Sequence, residues 1–191
     1  MITKEDIYSL FKDQLAKIGD PGLRDKVVDV WMTGCRQGGW KSKDDLLNMP
    51  FTLLTDTKGV NFIEHTKAVT EGALALAQSQ MDNYKKLPYE IDIDRLVAGG
   101  ILHDVGKLLE TEPDGSGGYR KSLKGQFARH PISGAILVAE AGLPDEIVNI
   151  VACHAKEGEG APKVIETILI HQADFATFDP LVALSKNLLI Q

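Results

Sequence analysis

The chain has 191 residues, 43% hydrophobic and 25% charged, with a net charge of -6 and a pI of about 5.4. That length suits one ordinary domain with a substantial core, the composition excludes disordered and fibrous classes, and the acidic balance argues against a nonspecific grip on a nucleic-acid polymer. Only Cys35 and Cys153 are present, far apart and in no CxxC pattern, which indicates neither a disulfide framework nor a thiolate zinc site and points to a reducing cytoplasm. Met1 to Asp6 lacks the basic head and apolar core of a signal peptide, and no apolar run is long enough to span a bilayer, so a cytoplasmic protein with no membrane partner is expected.

Thr3 and Asp6 form an acidic variant of a capping box. Ile7, Leu10, Phe11, Leu15 and Ile18 then recur at helical spacing until Gly19-Asp20-Pro21-Gly22 interrupts, which predicts one helix. A second amphipathic run follows from Leu23 to Trp31, then a glycine-bearing loop from Gly34 to Lys43, then a short helix from Asp44 to Met49 ending at Pro50. Phe51 to Thr55 reads equally as a short strand or an extended connection. Residues 1–60 carry no histidine and no catalytic cluster; they are expected to be a helical extension packed on the core, scaffold and lid to a functional domain at 61–191.

From Asn61 the character changes. Phe62, His65, Val69, Ala73 and Leu76 fall on one helical face, which puts His65 on the buried stripe. Taken alone, a hydrogen-bonded core histidine is the commoner reading. Asp94 is expected to cap the next helix, with Val97, Ile101, Val105 and Leu108 inward. Within this apolar run His103 and Asp104 sit side by side, where burying a carboxylate without a partner is costly and a divalent metal ion would compensate both groups. Gly99, Gly100 and Gly106 lower helix propensity and suggest close backbone approach or room for a ligand.

Glu110 to Gln126, with Pro113, Gly115, Gly117, Gly118 and Gly125, reads as a loop. Arg120, Lys121, Lys124 and Arg129 form the densest basic cluster of the chain, open to reading as a solvated surface or an anion site. His130 directly precedes Pro131 at a loop-to-helix junction, with Ile132, Ile136 and Ala139 expected inward beyond it. Gly142 ends that helix and Pro144 opens another, in which Ile147, Ile150, Val151 and His154 share a face. Gly158 to Pro162 is a turn. The last long helix carries Ile165, Ile168, Leu169 and Gln172, with His171 and Asp174 one turn apart, and Leu181, Leu184 and Leu188 close the chain as a terminal helix. With no strand pattern and no repeat, the class is all-α.

Collected, the candidate ligands are His65, His103, Asp104, His130, His154 and Asp174, a mixed nitrogen and oxygen set that suits Fe, Mn, Zn or Ni better than Ca or Mg alone. In this order, over about Asn61 to Pro180, they resemble the HD-domain superfamily of metal-dependent phosphohydrolases in its dinuclear form. The His-Asp-Val-Gly-Lys string at 103–107 is similar to that of the HD-GYP cyclic-dinucleotide phosphodiesterases, although no Gly-Tyr-Pro element is present. The resemblance implies an all-α HD-domain helical bundle with two divalent metal ions at its centre. One ion would be held by His65, His103, Asp104 and Asp174, the other by His130 and His154, with Asp104 bridging. It implies hydrolysis of a small-molecule phosphate ester by a metal-activated hydroxide.

Lys107, four residues after His103 and three after Asp104, can reach the same mouth and hold a phosphate oxygen or the leaving group, so Lys107 and Asp104 are the candidate catalytic residues. Lys107, Arg120, Lys121, Lys124 and Arg129 are the candidate substrate-binding residues. Myo-inositol oxygenase and a phosphonate-cleaving relative use a similar scaffold with two irons, so a diiron oxygenase acting on a polyol or phosphonate is the alternative, and a non-catalytic sensing module a third. His171 either orients Asp174 or is a capped surface histidine. Cys153 beside His154 reads as a core cysteine, because adjacent helix residues point about 100° apart. No GxxxxGK[ST] cradle and no HExxH helix occurs. A homo-oligomer is compatible with the sequence but not specified by it.

Overall fold

The computed structural model describes residues 2–190. Helix α1 (Lys4–Leu10) starts at the expected capping box, in which Thr3 Oγ1 accepts from Asp6 N and the Asp6 carboxylate accepts from Thr3 N. The run does not continue as one helix. Phe11 (φ -117°, ψ 24°) leaves helical geometry and α2 (Lys12–Leu15) follows; the kink seats Phe11 against Trp31, ring centroids 4.8 Å apart. Helix α3 (Pro21–Gly38), capped by Asp20, outruns the predicted Trp31 boundary and stops at Gly39 in the left-handed region. Gly34 was expected in a loop, but it lies inside α3 because a Cβ there would come 2.8 Å from Leu108 Cδ1: the glycine serves close packing. Helix α4 (Lys43–Asn48) falls where expected. Pro50 bridges to Asn61, so the intervening residues form a closed loop and Phe51 to Thr55 is not a strand.

Helix α5 (Phe62–Asn83) buries Phe62, His65, Val69, Ala73 and Ala77, leaving Leu76 partly exposed. Helix α6 (Ile93–Leu102) is capped by Asp92, whose carboxylate accepts from Arg95 N; Asp94, the predicted cap, instead accepts from Gly19 N and Asp20 N at 2.8 Å each. At His103 the helix gives way to a tight turn through Gly106, followed by α7 (Lys107–Glu110). The segment expected as a loop holds an antiparallel hairpin, β1 (Thr111–Pro113) and β2 (Tyr119–Lys121), with Thr111 opposite Lys121, and then α8 (Leu123–Phe127). Strands this short leave no alternation to read.

Helix α9 (His130–Glu140) presents the opposite face to the one predicted. Ile132 and Ile136 are about half exposed and Ala139 is exposed, while Gly134, Leu137 and Val138 are buried. The inward face is the one that contains His130 itself, because positions four, seven and eight residues on share its side of the helix. Helix α10 (Asp145–Cys153) buries Ile147, Ile150 and Val151 as expected. Helix α11 (Ile165–Ser185) runs unbroken through Pro180, so Leu181 and Leu184 belong to it, and no separate terminal helix forms among the described residues. Its buried side is Glu166, Thr167, Leu169, Ile170 and Ala173; Ile168 and Gln172 face outward.

The main core joins α1–α4 to the rest. The Trp31 indole donates to Ile101 O at 3.1 Å and that of Trp40 to Leu108 O at 2.8 Å. A smaller cluster of Val69, Leu96, Ile150, Leu169 and Ile170 packs α5, α6, α10 and α11 together. The turn at His103 and Asp104 is flanked by Leu102 and Val105 of the main core.

Candidate metal centre

Five helices deliver polar side chains to one point. His65 comes from α5, His103 and Asp104 from the turn after α6, His130 from the first residue of α9, His154 from the end of α10 and Asp174 from α11. His65, His103, Asp104 and His154 are 0–1% exposed and His130 is 7% exposed. Donor atoms of His65, His103 and Asp104 lie within 4.8 Å of one another, and so do those of Asp104, His130 and His154. Asp104 belongs to both groups. Its Oδ2 is 3.3 Å from His65 Nε2 and 3.4 Å from His103 Nε2, while its Oδ1 is 3.1 Å from His130 Nε2 and 3.5 Å from His154 Nε2. Asp174 Oδ1 lies 3.2 Å from His65 Nε2.

The tautomers follow from the other ring nitrogens. His103 Nδ1 is 2.7 Å from Gly100 O and His154 Nδ1 is 2.9 Å from Val151 O. A carbonyl oxygen only accepts, so both Nδ1 atoms carry the proton. His130 Nδ1 donates to the Glu110 carboxylate at 2.9 Å. Thr177 Oγ1 gives its proton to Asp174 O at 2.8 Å, which leaves it to accept from His65 Nδ1 at 3.3 Å. In each case Nε2 is an unprotonated lone pair aimed at a carboxylate, which is acceptor against acceptor. Nε2 of His65, His103 and His154 and Oδ1 of Asp104 are buried without a hydrogen-bond partner. Such an arrangement is costly unless a cation sits among the donors, so this donor set fits divalent metal ions.

Electrostatics agree. Burial acts to raise the Asp104 carboxyl, but the Lys107 cation beside it holds it well below the usual carboxylate range. Burial pushes His130 below the ordinary histidine value, which favours the neutral ring that a metal ligand requires. Lys107 Nζ stands 2.5 Å from Asp104 Oδ2 and 5.6 Å from the Phe51 ring centroid, and Phe51 itself stacks on the His65 ring at 4.2 Å.

A cavity of about 440 Å³ opens onto this cluster. Lys107, Lys121, Arg129 and Lys156 give it cations, Glu110, Glu157 and Asp174 carboxylates, and Phe51, Leu53, Leu54, Phe175 and Phe178 an apolar wall. Of the predicted basic cluster, Lys121 and Arg129 reach it. Arg120 pairs instead with Glu112 across the hairpin at 2.8 Å, and Lys124 lies 3.4 Å from Gln37 O; neither lines the cavity. His171 does not orient Asp174: its Nδ1 bonds His154 O at 2.5 Å, bracing the turn that carries His154. Cys153 is half-buried beside Asn149, not a core residue, whereas Cys35 is buried and its thiol is pushed up to about 12.

Sequence reading missed Glu110, Thr177, Phe51 and Lys156. A glutamate ending the apolar pair Leu108-Leu109, seven residues after His103, was the available signal for the first. Nothing local distinguishes the others.

The fold and this cluster define a predominantly helical protein built around a buried histidine and carboxylate centre suited to divalent metals. The sequence model of the HD domain matches residues 62–176, and the chain belongs to that family. Relatives include ribonuclease Y of Pseudothermotoga lettingae, 30% identical over 116 residues, which is 61% of this chain and 18% of that protein. Ribonuclease Y of Desulfotalea psychrophila is 32% identical over 84 residues, 44% of this chain and 13% of that protein. The dihydroneopterin 2',3'-cyclic phosphate phosphodiesterase of Methanocaldococcus jannaschii is 30% identical over 122 residues, 60% of this chain and 45% of that protein. The chain thus spans less than half the length of these curated relatives. No solved structure matches. No helix among the described residues is long and apolar enough to cross a membrane.

Proposed function

We propose that the chain is a metal-dependent phosphohydrolase acting on a small phosphate ester, with two divalent ions held by His65, His103, Asp104 and Asp174 and by Asp104, His130 and His154. The observation that carries this reading is the set of inward Nε2 lone pairs around one shared carboxylate, with a lysine at its edge. Bound divalent ions supply Lewis acidity: they lower the pKa of a water and offset charge developing on a phosphoryl group. The chain's own groups do the rest. Lys107, between Asp104 and the cavity, is placed to hold a phosphoryl oxygen; Lys121, Arg129 and Lys156 surround the anion, and the apolar wall excludes water.

The relatives' names, a ribonuclease and a cyclic phosphate phosphodiesterase, share phosphodiester cleavage, which supports a diester as substrate. Phe51, Phe175 and Phe178 among the cavity-lining residues favour an ester with a flat organic group, a nucleotide being one such compound; the cavity and the acidic balance favour a small molecule over a polymer. The test is elemental analysis of the purified protein, followed by assay with bis(p-nitrophenyl) phosphate and a panel of nucleotides. Ion-dependent release of nitrophenol or phosphate, absent in Asp104→Ala, is expected. Two irons per chain with oxygen uptake and no ester cleavage would overturn the hydrolase reading.

A further inference from the structure

Of the four histidines at the centre, His130 has an anchor unlike the others. Nδ1 of His103 and His154 bonds a backbone carbonyl and that of His65 a threonine hydroxyl, all uncharged. His130 is held by Glu110. One carboxylate oxygen, Oε2, accepts from both His130 N, at 2.6 Å, and His130 Nδ1, at 2.9 Å, so a single atom fixes backbone and ring of the same residue. The other oxygen, Oε1, is 3.0 Å from Arg129 Nε and 3.7 Å from Lys121 Nζ. The Glu110 side chain is 13% exposed, and a Cβ on Gly125 would come 2.6 Å from its backbone carbonyl, so both chain and side chain are confined.

A carboxylate behind an imidazole fixes the Nδ1–H tautomer, orients the ring and makes Nε2 a stronger donor. His130 belongs to the group with Asp104 and His154 and not to the group with His65 and His103. The benefit therefore falls on one ion and not on its neighbour. We propose that Glu110 is a positioning residue that sets the affinity of the ion held by Asp104, His130 and His154, independently of the other. This rests on the two-ion reading given above.

The alternative is that Glu110 merely caps the start of α9. Glutamine separates the two roles, because its amide oxygen can still accept from His130 N but carries no charge. Metal-free wild type, Glu110→Gln and Arg129→Ala are titrated with Mn2+ and followed by electron paramagnetic resonance. Wild type is expected to take two ions. Glu110→Gln keeps the first at unchanged affinity and binds the second about 10–100-fold more weakly. Arg129→Ala, with the Glu110–His130 pair intact, keeps both. In the metal-free proteins, imidazole 15N spectra provide a second readout: the His130 resonances of Glu110→Gln shift as the charge behind Nδ1 is lost, while those of His65, His103 and His154 stay. Two ions at wild-type affinity in Glu110→Gln, or equal weakening of both, would overturn the proposal. A wild type that takes only one ion would overturn the two-ion reading itself, and the selective role with it.

Discussion

Asp104 is the residue on which most depends, because its two oxygens face different pairs of histidines. Asp104→Ala is expected to reduce bound metal at both positions and bring turnover to background, whereas His154→Ala should spare the ion near His65; metal analysis of the two variants separates these outcomes. Lys107→Ala should keep its metal and lose about 10²–10³-fold in turnover, the scale of one preorganised donor. Metal loss in that variant would place Lys107 in the centre and not at its edge. Glu110 also carries a pH signature. Burial opposes its ionisation, but the His130 donors and then Arg129 bring its carboxyl from 4.5 down to about 2. A depressed folded pKa stabilises the protein above the unfolded value, and the gain is lost as pH falls between the two. Urea midpoints of metal-free wild type should therefore exceed those of Glu110→Gln near pH 6, and the gap should narrow as pH falls from 4.5 toward about 2.

At the scale of elements, the turn between α6 and α7 works only because α9 can approach it. A Cβ on Gly106 would lie 2.1 Å from His130 O and 2.7 Å from Gly134 N, both backbone atoms with no freedom to move aside. Gly106→Ala is expected to cost about 1–3 kcal/mol in chemical denaturation and to shift His130 away from Asp104, seen as weaker binding of one ion. The loop at 51–54 lies outside the stretch matched to the family and forms part of the cavity wall. Leu54→Ala should raise KM for an aryl phosphodiester by about 5-fold with kcat kept, as expected when partial burial of one leucine is lost. The helices carrying His65, His154 and Asp174 were legible because long runs repeat at helical period, and the convergent polar cluster could be proposed because a lone buried carboxylate demands a partner. The inward face of α9 was misassigned because three isoleucine and alanine positions outweighed one histidine in the apolar pattern, although the histidine fixed the helix rotation. The hairpin left no signal because paired backbone, not side-chain alternation, makes it. Glu110 and Thr177 bond histidines distant in sequence, His130 and His65, and no local pattern reveals that.

For the molecule as a whole, we propose that residues 1–60 form an extension packed on the domain at 61–191 and not an independently folding unit. Trp31, fully buried, touches Phe11 and Phe62 and donates to the carbonyl of Ile101, two residues before the central histidine. Trp31→Ala should cost about 3–5 kcal/mol, and a fragment beginning at Asn61 should fail to give a cooperative melt. A fragment that melts cooperatively and binds metal would overturn this division. Because uncompensated acceptors face each other in the metal-free centre, a bound ion at about 100 times its Kd should add about 2.7 kcal/mol and raise Tm by roughly 5–10 °C, measured with and without chelator.

The anchors of the four histidines differ in how they can be inherited. Gly100 O and Val151 O are main-chain atoms that no codon change deletes, whereas Glu110 and Thr177 are side chains open to substitution. Thr177 stands behind His65 and Glu110 behind His130, one in each half of the centre. If each half holds one ion as proposed, substitution at these two positions would retune either half, its metal preference included, without touching a proposed ligand, so single steps could shift the metal taken by one half alone.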